Sequence, residues 1–131
     1  MRGGVAPGAG GSPLRGLLRD AARLCPALED ALLVDAEGIL VEAFRPAATA
    51  VDQDEVGVEA VGAIPAHGRT AVAARLGAIV EWTLVGERGI LVVRRVPGAS
   101  LYLVLRVPDS EFVGRARFAA RMTAQRLAEF A

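Results

Sequence analysis

The sequence predicts an α+β fold, a three-layer α/β arrangement in which one five-stranded antiparallel sheet is covered by helices on both faces. Residues 80–107 hold three short apolar runs, and the gaps between them contain Gly86, Gly89, Pro97 and Gly98. Glycine and proline in such gaps favour tight turns, and connections this short join antiparallel neighbours. The stretch is therefore predicted to be a three-stranded meander, which supplies the last three strands of the sheet.

The two faces of each strand predict the strand order. Residues 31–34 and 90–93 are apolar at every position, and a strand that is apolar on both faces has to be covered on both. Residues 39–44 and 80–85 each carry a glutamate, as edge strands often do. A left-handed glycine, Gly38, is expected to close the turn between the first two strands. The predicted order is 2-1-5-4-3.

Three helical segments are predicted to cover this sheet. Ser12 and Pro13 are favourable as N-cap and first helical residue, so the first helix should begin there. Residues 52–78 must cross the sheet between the two edge strands, and Pro65 should kink or break this crossover helix. Residues 110–130 are predicted to form the final helix. We expect the crossover helix on one face and the two terminal helices on the other.

Length, charge and cysteine content restrict the class of protein. The 131 residues are predicted to form one domain, residues 12–131, after a disordered tail at residues 1–11 that lacks the apolar segment of a signal peptide. Fifteen basic and fifteen acidic residues give a formal net charge of zero, which argues against a nucleic-acid partner and against a membrane surface. No apolar run is long enough to span a membrane. A single cysteine is typical of a reducing, cytoplasmic location.

No pattern in the sequence is typical of an enzyme. His67 is the one histidine, and no cysteine or second histidine stands at metal-ligand spacing from it. The glycines near residue 10 are not followed by the Lys-Ser/Thr pair of a phosphate-binding loop. We therefore predict a non-enzymatic protein that uses no metal and no cofactor.

The crossover helix is predicted to have an apolar inner side and an outer side of small residues. The inner side, expected against the sheet, consists of Val58, Val61, Ile64, Val72 and Leu76. The outer side admits two interpretations: alanine is a good helix former, or small residues let a second helix approach closely. Together with the edge strand at residues 80–85, the second interpretation predicts a homodimer. Its interface would consist of Ala63, Ala66, Thr70, Ala73, Ala74, Gly77, Trp82 and Leu84.

Three stretches of the sequence resemble the roadblock/LC7 domain family. Residues 31–41, Ala-Leu-Leu-Val-Asp-Ala-Glu-Gly-Ile-Leu-Val, resemble the first hairpin of that family, and residues 85–93, Val-Gly-Glu-Arg-Gly-Ile-Leu-Val-Val, resemble its second. Gly114 and Arg117 match the Gly-x-x-Arg near the start of the family's last helix. The order of the predicted elements is similar as well, and the likeness extends over residues 14–130.

The resemblance implies non-enzymatic dimers, joined through edge strands and paired crossover helices. Members of the family serve as dynein light chains, as scaffolds for small GTPases, or as GTPase-activating partners of a bacterial Ras-like protein. The arginine-rich chain is typical of a bacterial protein. In such a dimer the partner is expected to bind Glu59, His67, Arg69 and Arg75. Two alternatives stay open: a ligand-sensing domain of the PAS or GAF kind, and a structural dimerisation module without a GTPase partner.

Overall fold

The computed structural model describes residues 12–130, so the predicted tail at residues 1–11 lies outside the described residues. Within the described range the chain forms helices, strands and one short 3₁₀ turn. In chain order these are α1 (Pro13–Leu24), β1 (Asp30–Asp35), β2 (Leu40–Phe44), α2 (Gln53–Gly62), α3 (Ile64–Ala73), β3 (Glu81–Gly86), β4 (Gly89–Arg95), β5 (Leu101–Val107), the 3₁₀ turn Ser110–Phe112 and α4 (Val113–Ala128).

The five strands form one antiparallel sheet in the order β2-β1-β5-β4-β3, which confirms the predicted order. Leu33 and Val92 are buried in the core beneath α1 and α4, whereas Leu32 and Val93 are buried in the core beneath α2. β1 and β4 thus contribute to two cores, which is why their residues are apolar without alternation. As predicted, the crossover covers one face of the sheet and the terminal helices cover the other.

The two terminal helices, α1 and α4, differ in how their N-terminal ends are capped. The hydroxyl of Ser12 caps α1 by accepting a hydrogen bond from a first-turn backbone N–H, and Pro13 is the first helical residue, as predicted. The final helix begins later than predicted, because Asp109 caps the 3₁₀ turn Ser110–Phe112 and α4 itself starts at Val113. A short 3₁₀ turn of this kind is frequent at the start of an α-helix.

The crossover helix is broken at Pro65, as the sequence predicts. α2 ends at Gly62 and α3 begins at Ile64, so Pro65 is the second residue of α3. In the first turn of a helix the missing N–H of proline removes no hydrogen bond. The crossover therefore consists of two ten-residue helices.

Three residues that the sequence predicts against the sheet are exposed instead. Val61 and Ile64 do pack on the sheet, but Val58, Val72 and Leu76 do not. A continuous helix would hold all five on one side. The break at Pro65 rotates α3 and moves Val72 off the inner side, and Leu76 lies beyond the end of α3. Val58 precedes the break and lies outside the inner side of α2, which consists of Gly57, Ala60 and Val61. The prediction for Val58, Val72 and Leu76 is therefore wrong. The buried residues of the two helices are Gly57, Ala60, Val61 and Ala71.

α2 lies directly on the turn between β1 and β2. Gly38 in that turn has a φ of +84°, the left-handed conformation predicted for it. A Cβ placed on Gly57 would lie 2.7 Å from the carbonyl oxygen of Gly38 and 3.0 Å from Cγ1 of Val34. Neither glycine has room for a side chain, so this pair sets how closely α2 approaches the sheet.

A buried carboxylate ties the sheet to the segment that leads into α2. Asp30 is 2% exposed and accepts hydrogen bonds from Nε of Arg45 at 2.5 Å and Nε of Arg106 at 3.0 Å. Arg106 also donates to the hydroxyl of Thr49 at 2.9 Å, and Arg45 donates to the carbonyl oxygen of Val51 at 2.8 Å. Arg106 also pairs with Glu29 at 2.6 Å, so two guanidinium groups balance two carboxylates and hold this segment in place.

Candidate functional site

One side of the molecule combines an unpaired strand with exposed apolar side chains. We call it the α3–β3 surface; it consists of α3, the turn at residues 74–80, and β3. β3 is the last strand of the sheet, and its outer side pairs with no other strand of residues 12–130. Val72, Leu76 and Leu84 are 79%, 70% and 54% exposed. Exposed apolar side chains beside an unpaired strand are typical of a surface that binds another protein.

β3 suits pairing with another chain better than β2, the opposite edge of the sheet. β3 keeps an unbroken register with β4 over six residues. β2 has five residues, and its register with β1 shifts between Leu33 and Val34, an irregularity that makes a sheet edge less able to pair. The charge of Glu81 does not protect the β3 edge, because its carboxylate is held by Arg94 at 3.0 Å and Arg117 at 2.7 Å.

Trp82 connects α3 to the sheet. Its ring centre lies 4.9 Å from that of His67 on α3 and 6.4 Å from that of Tyr102 on β5. Tilted aromatic rings at such distances attract each other. An open cleft of about 350 Å³ lies beside this contact, and its walls include Thr70, Ile79 and Trp82. α3 therefore rests on the sheet through a small contact.

Most predicted interface residues come together on the α3–β3 surface. Ala66, Thr70 and Ala73 are exposed on α3, and Leu84 is exposed on β3. Ala63 is half-buried at the junction of α2 and α3. Trp82 reaches the same side of the sheet but is partly covered by α3.

Two of the interface residues predicted on the crossover helix lie beyond its end. α3 ends at Ala73, so Ala74 and Gly77 belong to the exposed turn that follows it. Gly77 has a φ of +78°, a left-handed conformation that stops a helix. The expectation that the helical stripe continues through these residues is wrong, although both stay on the α3–β3 surface.

The predicted partner-binding residues are spread over three environments. Glu59 and Arg69 are exposed on α2 and α3, respectively, and His67 is half-buried against Trp82. Arg75 lies in the turn after α3 with a φ of +58°, so its prediction as a helical residue is wrong. Glu59 and Arg69 are the two that offer free charged groups on the helices.

The sequence predicts Val72 and Leu76 in the core, whereas the structure places both on the α3–β3 surface. The signal that could have found them is Pro65. When the helical repeat is counted anew from Ile64, His67 and Ala71 fall on the inner side and Val72 falls off it. Leu76 follows the end of the helix, which the sequence does not define sharply.

Residues 12–130 contain no group of three or more His, Cys, Asp or Glu side chains that could hold a metal ion. Every buried polar side-chain atom of these residues has a hydrogen-bond partner. Cys25 is buried in the other core, and burial raises the pKa of its thiol. None of the helices described is long and apolar enough to cross a membrane.

No protein-family model and no curated protein matches the sequence, but solved structures match the fold. The gliding protein MglB from Thermus thermophilus is 23% identical with a TM-score of 0.83, over 97% of this chain and 94% of that one. A structure described as MglB with tetrameric arrangement is 25% identical with a TM-score of 0.78, over 97% and 93%. A Roadblock/LC7 domain from Streptomyces avermitilis is 16% identical with a TM-score of 0.71, over 91% and 98%. Over nearly its whole length, therefore, this chain has the roadblock/LC7 fold.

Proposed function

We propose that this chain is a non-enzymatic, dimeric regulator or scaffold of a small Ras-like GTPase. The observation that carries the proposal is the α3–β3 surface, where an unpaired strand lies beside Val72 and Leu76, both largely exposed. One similar structure is described as MglB with tetrameric arrangement, which is a self-association of that protein. The roadblock/LC7 resemblance adds the GTPase as the class of partner, and the single cysteine supports a cytoplasmic location.

In the proposed dimer, β3 pairs with β3 of a second copy, so the two sheets become one continuous sheet. A two-fold axis then brings the same surface of both chains together. The α3 helices meet beside that axis, where Ala66 and Ala73 are small and a Cβ on Gly68 would have no atom within 4 Å. Pairing in this way would cover Val72, which is 79% exposed in the single chain.

The GTPase is proposed to bind across the paired α2 and α3 helices, where Glu59 and Arg69 are exposed. Phosphoryl transfer depends on positioning and on electrostatic stabilisation of the transferred group. A dimer that holds the switch loops of a GTPase can therefore accelerate hydrolysis with the catalytic residues of the GTPase itself. Arg69 offers a second mechanism, in which its guanidinium group enters the nucleotide site of the GTPase. The hydrolysis experiment below distinguishes the two mechanisms.

Light scattering tests the dimer without any partner. At micromolar concentration the chain should have twice its monomer mass of 13.6 kDa. Ala66→Phe places a large ring where two small-residue faces meet, so the mass should move toward that of the monomer. Ala48→Phe, at an exposed position before α2, is the matched control and should leave the mass unchanged. A wild-type chain that stays monomeric refutes the dimer.

Single-turnover GTP hydrolysis tests the partner, using a Ras-like GTPase from the same genome with and without this chain. Glu59→Arg and Arg69→Glu should weaken binding, whereas Arg88→Glu in the exposed β3–β4 turn should not. Stimulation that survives Arg69→Ala supports positioning, while lost stimulation with intact binding identifies an inserted arginine. If the chain binds no GTPase of that genome in its GTP state, the partner is wrong.

A further inference from the structure

The charges of this protein are separated between its two helical layers. Seven exposed arginines and one aspartate are the only charged residues within α1 and α4, whereas α2 and α3 carry three acidic residues and one arginine. The formal net charge of zero therefore conceals one strongly basic layer. We call the outer side of that layer the basic face; its arginines are Arg15, Arg19 and Arg23 on α1 and Arg115, Arg117, Arg121 and Arg126 on α4.

Much of the charge on the basic face is not neutralised within the chain. The aspartate of α1 lies 3.3 Å and 3.8 Å from two of the arginines, so it offsets only one positive charge. Among residues 12–130, Arg15, Arg19 and Arg121 form no ion pair. The exposed acidic residues that flank α4 in the sequence are Asp109 and Glu111 before it and Glu129 after it.

Exposed aromatic rings lie among these arginines. Phe118 on α4 is 42% exposed, and the guanidinium carbon of Arg121 lies 5.8 Å from the centre of its ring. Phe130, just beyond α4, is 58% exposed. Arginine and exposed phenylalanine on one helical surface are typical of proteins that lie on lipid headgroups, since the ring enters the interface and the guanidinium meets phosphate.

We propose that the basic face binds the anionic headgroups of a membrane surface. Clusters of about four to eight basic residues are known to attract anionic lipids. Arg117 and Arg121 line a shallow cleft with Phe118, but the charges extend well beyond it. At 1.5 Å per residue, Arg15 and Arg23 alone are separated by about 12 Å along α1. An extended array suits a flat partner better than a peptide. Two helices packed side by side on a sheet also present no projecting element that could enter a nucleic-acid groove.

The dimer proposed above would double the basic face. Identical strands that pair antiparallel are related by a two-fold axis perpendicular to the sheet, so α1 and α4 of both chains lie on the same side. The α2 and α3 helices, with their acidic residues, would then face away from the membrane and stay open to a partner. This doubling rests on the proposed dimer, whereas the basic face itself belongs to each chain.

Co-sedimentation with lipid vesicles tests the inference without any GTPase. The full chain should sediment with vesicles of equal parts phosphatidylglycerol and phosphatidylcholine, and not with vesicles of phosphatidylcholine alone. Binding should be lost near 1 M salt, where the screening length falls to about 3 Å. Each arginine near an anionic surface is expected to contribute roughly a fivefold factor in affinity, so Arg15→Gln with Arg19→Gln should weaken binding about 30-fold.

A matched double variant, Arg88→Gln with Arg95→Gln, removes two exposed arginines from other parts of the chain and should bind nearly as the wild type does. Circular dichroism checks that each variant is folded. If the double variant in α1 does not fold, Arg121→Gln serves as a second probe of the basic face. An equal loss in both double variants, or no binding to anionic vesicles at low salt, overturns the proposal. Binding to polyglutamate but not to the vesicles overturns it in favour of an acidic protein. Since no GTPase is present, failure here leaves the GTPase proposal untouched.

Discussion

Gly57→Ala tests how closely α2 packs on the turn between β1 and β2. An alanine Cβ at this position would lie 2.7 Å from the carbonyl oxygen of Gly38 and 3.0 Å from Cγ1 of Val34. Carbon–oxygen contacts in proteins are about 3.3 Å or longer, so α2 or the turn must move by roughly 0.6 Å. Gly38 cannot relieve the contact by a change of rotamer, because the contact is made by its backbone.

Two effects of opposite sign set the size of the change. Alanine is favoured over glycine inside a helix by about 0.8–1 kcal/mol. Overpacking costs about 1–3 kcal/mol, and a contact with backbone belongs at the upper end of that range. The free energy of unfolding of Gly57→Ala should therefore fall by about 1–2 kcal/mol. Gly68→Ala, where an added Cβ would have no atom within 4 Å, should instead raise it by about 0.8–1 kcal/mol.

Urea unfolding at a fixed protein concentration measures both variants, since a dimer would make stability depend on concentration. The midpoints should move in opposite directions, each by roughly 0.5–1 M. Gly62→Ala, also in open space but on α2, checks that the gain at Gly68 does not come from altered self-association. If Gly57→Ala stabilises the chain as much as the two controls do, α2 does not pack on the turn as closely as described.

Two further predictions concern buried groups. Asp30→Asn leaves Arg45 and Arg106 facing an uncharged amide, so the free energy of unfolding should fall by about 2–3 kcal/mol. Asp20→Asn, in a partly exposed ion pair, is the control and should lower it by less than about 1 kcal/mol. Equal urea midpoints for the two variants would contradict this prediction. Cys25 should react with a thiol reagent at pH 8 far more slowly in the folded chain than in urea, because it is buried and its thiol has a raised pKa. An unfolded thiol has a pKa of about 8.5, so above that pH it ionises in the unfolded chain before it does in the folded one. The stability that Cys25 contributes is therefore complete below about pH 8.5 and decreases above it. The free energy of unfolding of Cys25→Ala should not show this decrease.

The sheet could be predicted from the sequence because its signals are local and agree with one another. β1 and β4 are apolar at consecutive positions, so any order that placed either at an edge would expose apolar side chains. The left-handed conformation of Gly38 follows from the shortness of its turn. The free edge at β3 then follows from the strand order, which is why Trp82 and Leu84 were found on the surface that the structure shows.

The orientation of the crossover could not be predicted, because it depends on contacts between residues far apart in the sequence. Pro65 indicates that the helix breaks, but not how far α3 rotates. That rotation depends on where α2 is held, at Gly57 against Gly38, and on the contact of His67 with Trp82. The net charge of zero does not show the basic face, since a net charge counts residues and does not assign them to layers.

The break at Pro65 also divides the crossover into two units that can open independently. Helical cooperativity passes along continuous hydrogen bonds, and an isolated helix of ten residues is shorter than the ~12–15 residues that persist in water. α2 is held by the turn at Gly38, whereas α3 contacts the sheet through Ile64 and the rings of His67 and Trp82. Fraying of α3 therefore leaves the sheet and α2 intact. Because α3 is the helix most exposed to a partner and has few contacts with the sheet, a partner that covers it would also stabilise it.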